Sequence, residues 1–309
     1  MVIDMHYHFF DAPFHSPKMW DEMAQLCVEF APANKPITFE EARRNLVPQM
    51  FDSTGEKTVR NLDNWGIEKA AILAVDNGFM HGDGEIGIEG QNEAIATAAR
   101  RFPDRLVAFL SIDPRRLNAL ELLDRCVNDW GMKGVKCHPD TGWFPDDEAY
   151  YPFWQKVSDY RLPVLIHTGP LPPPSKSDCA HPERLDKLLA DFPEMKMIAA
   201  HMAFRWYKEL MEVGKRRPNL MCDCSAWQPT AHESYGKVAY ILRKVMNVFG
   251  PNRMVFGTDA PTFSFLYSER EWVEMIRELP TKAPEGIKFV PAEAEAVLYG
   301  NAARVLRLG

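Results

Sequence analysis

Positive charge is scarce in this chain of 309 residues: 36 Lys and Arg stand against 43 Asp and Glu, a net charge of -7. A domain that grips nucleic acid or an anionic membrane concentrates basic residues on one face. No such footprint is present, so a small soluble molecule is the expected partner, with no nucleic acid and no membrane. No Cys-x-x-Cys pair occurs among the six cysteines, Cys27, Cys126, Cys137, Cys179, Cys222 and Cys224, and most lie in apolar or strand-like sequence. That usage suits free thiols in a reducing compartment better than a disulfide framework and predicts a cytoplasmic protein. Long hydrophobic runs are also missing: none approaches the roughly 20 residues of a membrane span. The opening Met-Val-Ile-Asp-Met-His-Tyr-His has no basic leader region and runs directly into strand-like sequence, so neither export nor insertion is expected.

What the chain does contain is a regular alternation. Short apolar runs, the signature of fully buried parallel strands, occur at 2–8, 70–76, 106–112, 133–138, 163–168, 195–201, 219–224 and 253–259. Between most of them lie amphipathic stretches with helical periodicity, at 89–101, 115–130, 148–161, 182–191, 205–217 and 233–249. Pro163 opens the fifth run, Pro182 suits the first turn of a helix, and Gly66 and Gly131 separate helical stretches from strands. Eight strand-helix units at this spacing predict an α/β fold, a closed (β/α)8 TIM barrel spanning 1–309 as a single domain. The interval after the first run is about twice a normal crossover. It holds aromatic and proline-rich sequence (Phe9, Phe10, Pro13, Phe14, Pro17, Trp20) before a helix expected near 39–65, and is read as an insertion, about 9–69, over the barrel mouth. The segment Gly-Pro-Leu-Pro-Pro-Pro at 169–174 reads as a stiff loop after the fifth strand.

Histidines gather at the ends of these runs. Residues two apart on a strand share a face, so His6 and His8 can both aim into the barrel. The fifth run ends in Leu-Ile-His167-Thr-Gly, the sixth in Ala-Ala-His201-Met and the eighth in Phe-Gly-Thr-Asp259-Ala-Pro. All lie at carboxyl ends, the face where barrel enzymes place their active sites. Nitrogen and oxygen ligands converging there from several strands make a metal site with room for water, and the chain reads as a metal-dependent enzyme.

These motifs resemble the amidohydrolase superfamily, and within it the branch of aminocarboxymuconate-semialdehyde decarboxylase and gamma-resorcylate decarboxylase. The resemblance is carried by Ile-Asp-Met-His-Tyr-His, by Lys-Gly-Val-Lys-Cys-His-Pro at 133–139, by Phe-Pro-Glu-Met-Lys-Met-Ile-Ala-Ala-His at 192–201, by Phe-Gly-Thr-Asp at 256–259 and by Gly-Asn-Ala-Ala-Arg at 300–304. It implies that His6, His8, His167 and Asp259 hold one divalent ion, Zn2+ or alternatively Mn2+, and that His201 is an unligated catalytic histidine, with Asp259 also acting in proton handling. An ion so held lowers the pKa of bound water from 15.7 toward about 7. The implied activity is non-oxidative decarboxylation of a small unsaturated or aromatic carboxylate. Hydrolysis of a lactone, ester or amide uses the same site and is the alternative; a non-catalytic barrel would lack a ligand, and none is missing. A homodimer is compatible with this reading.

Several positions stay open at the level of sequence. Lys136 shares a strand face with His138; it is either a structural or substrate-adjacent lysine or, as in some members of the superfamily, a modified lysine bridging two metals. Cys222 and Cys224 also share a face, but no histidine at close spacing completes a thiolate site. Trp143, Phe144, Arg205, Trp206, Trp227 and Tyr235 follow strands and are candidates for pocket walls. His201 is followed by Met-Ala-Phe-Arg-Trp where this branch often has a glycine-rich turn, and the insertion is unusual. The arginine that fixes a substrate carboxylate in the decarboxylases of this branch therefore has no assigned position here, and Arg43, Arg44 and Arg205 are candidates only.

Overall fold

The computed structural model of the chain describes residues 1–308. Eight parallel strands form one sheet in the order β1 to β8: Ile3–His8, Lys69–Leu73, Leu106–Ser111, Gly134–Cys137, Val164–Ile166, Met197–Ala199, Leu220–Asp223 and Met254–Val255. Backbone bonds from Met5 N to Phe256 O and from Asp259 N to His6 O, 2.9 and 2.8 Å, return the sheet from β8 to β1. The result is the (β/α)8 barrel, with seven strands inside the runs that apolar patterning marks and β2 beginning one residue before its run, at Lys69. The expected helices are present at Gly87–Arg101, Ala119–Asn128, Tyr151–Asp159, Arg184–Asp191, Tyr207–Arg216 and Tyr235–Phe249. Gly66 ends the helix Glu56–Trp65 in left-handed backbone (φ 72°), the conformation a side chain resists and a helix C-terminus uses.

Two apolar layers hold the barrel. Ile3, Met5, Ala71, Leu73, Phe109, Leu165, Ile198 and Val255 fill its interior, and Ala302, Ala303 and Val305 of the helix Asn301–Leu306 join them. Asn301 fastens that helix by donating to the carbonyls of Pro251 and Met254, both at 2.7 Å. A larger layer packs the outer strand faces against the helices. Among the described residues no helix is long and apolar enough to cross a membrane, and all six cysteines are unpaired.

The interval between β1 and β2 is an insertion with its own small core of Phe10, Trp20, Met23, Ala24, Cys27, Val47 and Met50. Its main element is the helix Pro17–Glu29, whose apolar residues 20, 23, 24 and 27 recur at helical spacing. The single helix expected near 39–65 is broken. Short helical turns over 39–50 end at Phe51, and a new helix starts at Glu56. Pro48 lacks the donor that a continuous helix needs. The Asp52 carboxylate, accepting from Gly55 N at 2.9 Å and Thr58 N at 2.7 Å, caps a fresh start.

Candidate functional site

The strand ends converge at the barrel mouth. His6 and His8 point inward from β1 with their Nε2 atoms 3.2 Å apart, and each lies 3.1 Å from Asp259 Oδ1, just past β8. The β1–β2 register shifts between Asp4 and Tyr7, a bulge of the kind that re-aims side chains beside active sites. His201, after β6, has its ring centroid 4.9 Å from that of His6 and 5.1 Å from that of His167, after β5. One ligand atom each from His6, His201 and Asp259 lies within 4.8 Å of the others. Lys136 of β4 is fully buried with Nζ 2.8 Å from His6 Nε2.

Asp223 of β7 organises this cluster, and nothing in strand periodicity singles it out. Its Oδ1 accepts from His201 N (2.7 Å), Ser225 N (2.9 Å) and Ser225 Oγ (2.6 Å), and its Oδ2 from His6 Nδ1 (2.8 Å). A carboxylate cannot donate, so His6 carries its proton on Nδ1 and presents the Nε2 lone pair to the centre. Ser225 gives its only proton to Asp223 and therefore accepts from His201 Nδ1 at 2.8 Å. That leaves His201 Nε2 unprotonated as well. Asp4 plays the equivalent part beneath Asp259: it accepts from His6 N, Thr258 N and Thr258 Oγ1 at 2.9, 3.1 and 2.5 Å.

Burial sets the charge states. It lowers His8 to about 3 and His167 to about 4, and holds His201 well below the usual imidazole value, so these rings are neutral ligand-type nitrogens. Asp259 resists the opposing push of burial because His6 and His8 hydrogen-bond to it, and stays well below the carboxylate range. Burial lowers Lys136 to about 8. His6 alone moves up: the pull of Asp223 and Asp259 outweighs burial and the nearby lysine.

The backbone around the site is strained. His201, Met202, Ala203 and Phe204 are four consecutive residues with φ between 47 and 60°, and Asp259 has φ 64°. Gly257 is required by close approach, since a Cβ there would lie 2.8 Å from His6 Cβ and 3.0 Å from Ser225 Cβ. His138 also joins the site: its ring stacks on His167 at 5.4 Å, Nδ1 faces Asp140 at 3.3 Å, and Nε2 is buried without a partner.

These groups open into a cavity of about 360 Å³. Its walls are mainly apolar and come largely from the insertion (Phe10, Met19, Met23, Leu26, Phe30) and from Leu171, Phe204 and Phe263. Of the aromatic and basic candidates, only Arg205 lines it. Trp143 packs into the core against Tyr150 and Trp154, and Trp227 is buried with its indole N–H on the His201 carbonyl at 2.8 Å. Phe144 stacks under Arg184, Trp206 contacts His181, and Tyr235 lines a different cleft. Arg43 pairs with Asp21, away from the cavity, and Arg44 does not line it. Cys222 and Cys224 are buried thiols whose pKa burial raises, and they take no part.

Comparison with known proteins agrees with this architecture. A curated 2-keto-4-carboxy-3-hexenedioate hydratase of a Sphingobium species is 29% identical over 131 residues, 36% of this chain and 38% of that protein. The chain thus matches well under half the length of that curated relative. A TIM-barrel protein of Bordetella bronchiseptica superposes with a TM-score of 0.69 at 24% identity, covering 99% of this chain and 98% of the other. A dihydroxybenzoic acid decarboxylase of a Polaromonas species, solved with manganese and 2-nitroresorcinol, gives 0.68 at 17% identity, covering 99% and 97%. The sequence profile of the Amidohydrolase family matches residues 3–308, nearly the entire chain, and with the histidines and aspartate gathered at its barrel mouth the chain belongs to the amidohydrolase family.

Proposed function

We propose that the chain is a metal-dependent, non-oxidative carboxy-lyase acting on a small aromatic or unsaturated carboxylate, with His6, His8, His167 and Asp259 holding one divalent ion and His201 handling the proton. The observation that carries the reading is the set of neutral, oriented imidazoles and one ionised carboxylate at the floor of an apolar cavity. The donor set fits an ion. Tetrahedral ligands at 2.0–2.1 Å from zinc lie about 3.3 Å apart, and His6 Nε2, His8 Nε2 and Asp259 Oδ1 are separated by 3.1–3.2 Å. His167 Nε2 is buried without any partner, as a nitrogen awaiting a ligand role would be. Nitrogen and carboxylate donors suit zinc and manganese alike, and the Polaromonas enzyme carries manganese.

When bound, the ion supplies positive charge that draws in an anion and acidifies water or a substrate hydroxyl. The chain's own residues do the rest. Arg205 offers a guanidinium at the cavity wall for a carboxylate. The apolar walls exclude water, which favours loss of neutral carbon dioxide from a charged carboxylate. As the bond to that carboxylate breaks, its electron pair stays on carbon, and that carbon takes a proton. His201 Nε2, left unprotonated because Nδ1–H is donated to Ser225, is placed to take a proton from a water or a substrate hydroxyl and deliver it to that carbon, which returns the ring to its neutral form. Asp259 anchors the ligand cluster, and Asp223 fixes both histidine tautomers.

The test is carbon dioxide release by protein loaded with zinc or manganese, offered 2,6-dihydroxybenzoate, 5-carboxyvanillate and muconate-type acids beside neutral lactones and amides. Decarboxylation of one or more acids supports the reading. Turnover confined to lactones or amides replaces it with hydrolysis.

A further inference from the structure

The cavity has a second polar wall, remote in sequence from the histidine cluster. Glu22 of the helix Pro17–Glu29 and Asn77 and His81 of the turn after β2 line it, among Met19, Met23, Leu26 and Met80. Asn77 and His81 are 4% and 7% exposed. Glu22 Oε2 and His81 Nε2 lie 2.8 Å apart, yet neither has an aligned hydrogen bond, and Asn77 Nδ2 is likewise buried without a partner. The Glu22–His81 contact leaves the other carboxylate oxygen available, and an unmet amide donor such as Asn77 Nδ2 in an apolar wall costs about 1–3 kcal/mol, which native proteins rarely accept without a use for it.

The wall is also fixed in place. Ser16 Oγ donates to the His81 carbonyl at 2.8 Å, and the backbone N–H groups of Met80 and His81 donate to Asn77 O at 2.9 and 3.0 Å. His15 Nδ1 lies 3.1 Å from Asn77 Oδ1; with that oxygen accepting, the amide N–H groups are the free donors. The wall thus combines a donor, Asn77 Nδ2, with an acceptor, the Glu22 carboxylate. A hydroxyl is the small group that satisfies both at once. A second carboxylate would meet Glu22 with like charge, and Arg205 is the only Arg or Lys among the described residues lining the cavity.

We infer that Glu22, Asn77 and His81 form a specificity subsite for a hydroxyl on the part of the substrate that faces the insertion and the post-β2 turn, so that the preferred ligand is a monocarboxylate carrying an alcohol or phenol. The inference rests on the reading of this cavity as the substrate site, and it deepens that reading by making Glu22 and Asn77, from the insertion and the post-β2 turn, determinants of selectivity. A site built to hydrogen-bond a hydroxyl discriminates strongly against the analogue that lacks it.

The experiment measures calorimetric binding to metal-loaded protein of four acids of increasing length: benzoate, phenylacetate, cinnamate and 4-phenylbenzoate. Each is compared with its para-hydroxy and para-carboxy derivatives at the far end. The expected result is that, on at least one scaffold, the hydroxyl tightens binding by roughly tenfold to a hundredfold and the added carboxylate does not. Glu22→Leu and Asn77→Ala should each bring the ratio of hydroxylated to unsubstituted affinity close to one, whatever they do to the unsubstituted acid; Glu22→Gln, which keeps a polar acceptor, should retain part of that ratio. No hydroxyl gain on any scaffold, or a gain that survives both variants, overturns the inference. Failure of the carboxy-lyase reading is separate: it appears as absent carbon dioxide release, and a hydroxyl gain without turnover would retain the subsite and discard the reaction.

Discussion

Replacing Asp223 by Asn should empty the metal centre while leaving the barrel folded. The carboxylate accepts four hydrogen bonds, three on Oδ1 from His201 N, Ser225 N and Ser225 Oγ, and one on Oδ2 from His6 Nδ1. An asparagine keeps the three by placing its oxygen in the Oδ1 position. Its NH2 then faces His6 Nδ1–H, donor against donor, and the imidazole must move its proton to Nε2. Protonated Nε2 has no lone pair for an ion, and it also opposes Lys136 Nζ at 2.8 Å. Stability should fall by about 1.5–3 kcal/mol, the scale of one lost charge-assisted bond, a drop of several °C in Tm. Metal affinity should fall by about a hundredfold or more, at or beyond the upper end for groups that orient a ligand histidine. Dialysis against graded chelator with elemental analysis of retained zinc or manganese, alongside a thermal melt, separates the two effects. An Asp223→Asn protein that melts cooperatively and holds metal as tightly as the parent would refute the tautomer argument.

His201→Ala is expected to retain its ion and lose roughly 10² to 10⁴ in turnover, whereas His6→Ala and Asp259→Ala lose the ion as well. Metal content beside rate decides this, and an empty His201→Ala protein would move His201 into the ligand set. Elemental analysis and anomalous scattering should find one ion per chain; two ions bridged by a modified Lys136 would contradict the mononuclear reading. Gly257→Ala forces a Cβ to within 2.8 Å of His6 Cβ and should cost about 1–3 kcal/mol together with bound metal, read by melt and dialysis. Burial raises Asp4 to about 7 and Glu269 to about 8, so both keep protons in the folded chain that the unfolded chain sheds near pH 4. Their contribution is complete below that pH and is lost as pH rises through about 8; denaturant midpoints should fall over that window, and Glu269→Gln should flatten the upper part of the fall.

The barrel was legible because parallel strands buried on both faces leave continuous apolar runs, and every strand coincides with one to within a residue. The histidines and Asp259 were legible for a related reason, since each terminates such a run. Asp223 was not: it stands between Cys222 and Cys224, where alternation draws notice to the flanking thiols, and its partner His6 is 217 residues away. Ser225 and His138 likewise gain meaning only from neighbours on other strands. The helix Pro17–Glu29 did carry a signal, Ser16 before Pro17 and apolar residues at helical spacing, but its prolines and aromatics read as irregular sequence. The helix Glu269–Lys282 was signalled in the same way by Ser268, which caps Glu271 N, and by Trp272, Val273, Ile276 and Leu279. Pocket walls were the weakest inference: Trp143 and Trp227 follow strands, but their indole N–H groups turn inward onto the carbonyls of His138 and His201. Aromatic type alone does not distinguish a wall from the packing behind it.

The left-handed backbone at His201 and Asp259 explains how a wide barrel mouth becomes a narrow cluster. β6 ends at Ala199 and β8 at Val255, so neither residue is positioned by the sheet ladder itself. A residue other than glycine held at positive φ costs roughly 1–3 kcal/mol, and five of them would not persist unaided. The compensation is visible around each. The His201 segment is held by Asp223 on its N–H, Trp227 on its carbonyl and Thr168 Oγ1 on the Ala200 carbonyl at 2.7 Å. Asp259 is held by the His6 carbonyl on its N–H and by Thr258, which is itself tied to Asp4. Every one of these anchors except Trp227 and Thr168 also bonds His6 or lies on it. The strain that aims His201 and Asp259 is therefore balanced through the same residue whose lone pair they surround, which is why a change at Asp223 or Asp4 should reach the centre more strongly than its distance in sequence suggests.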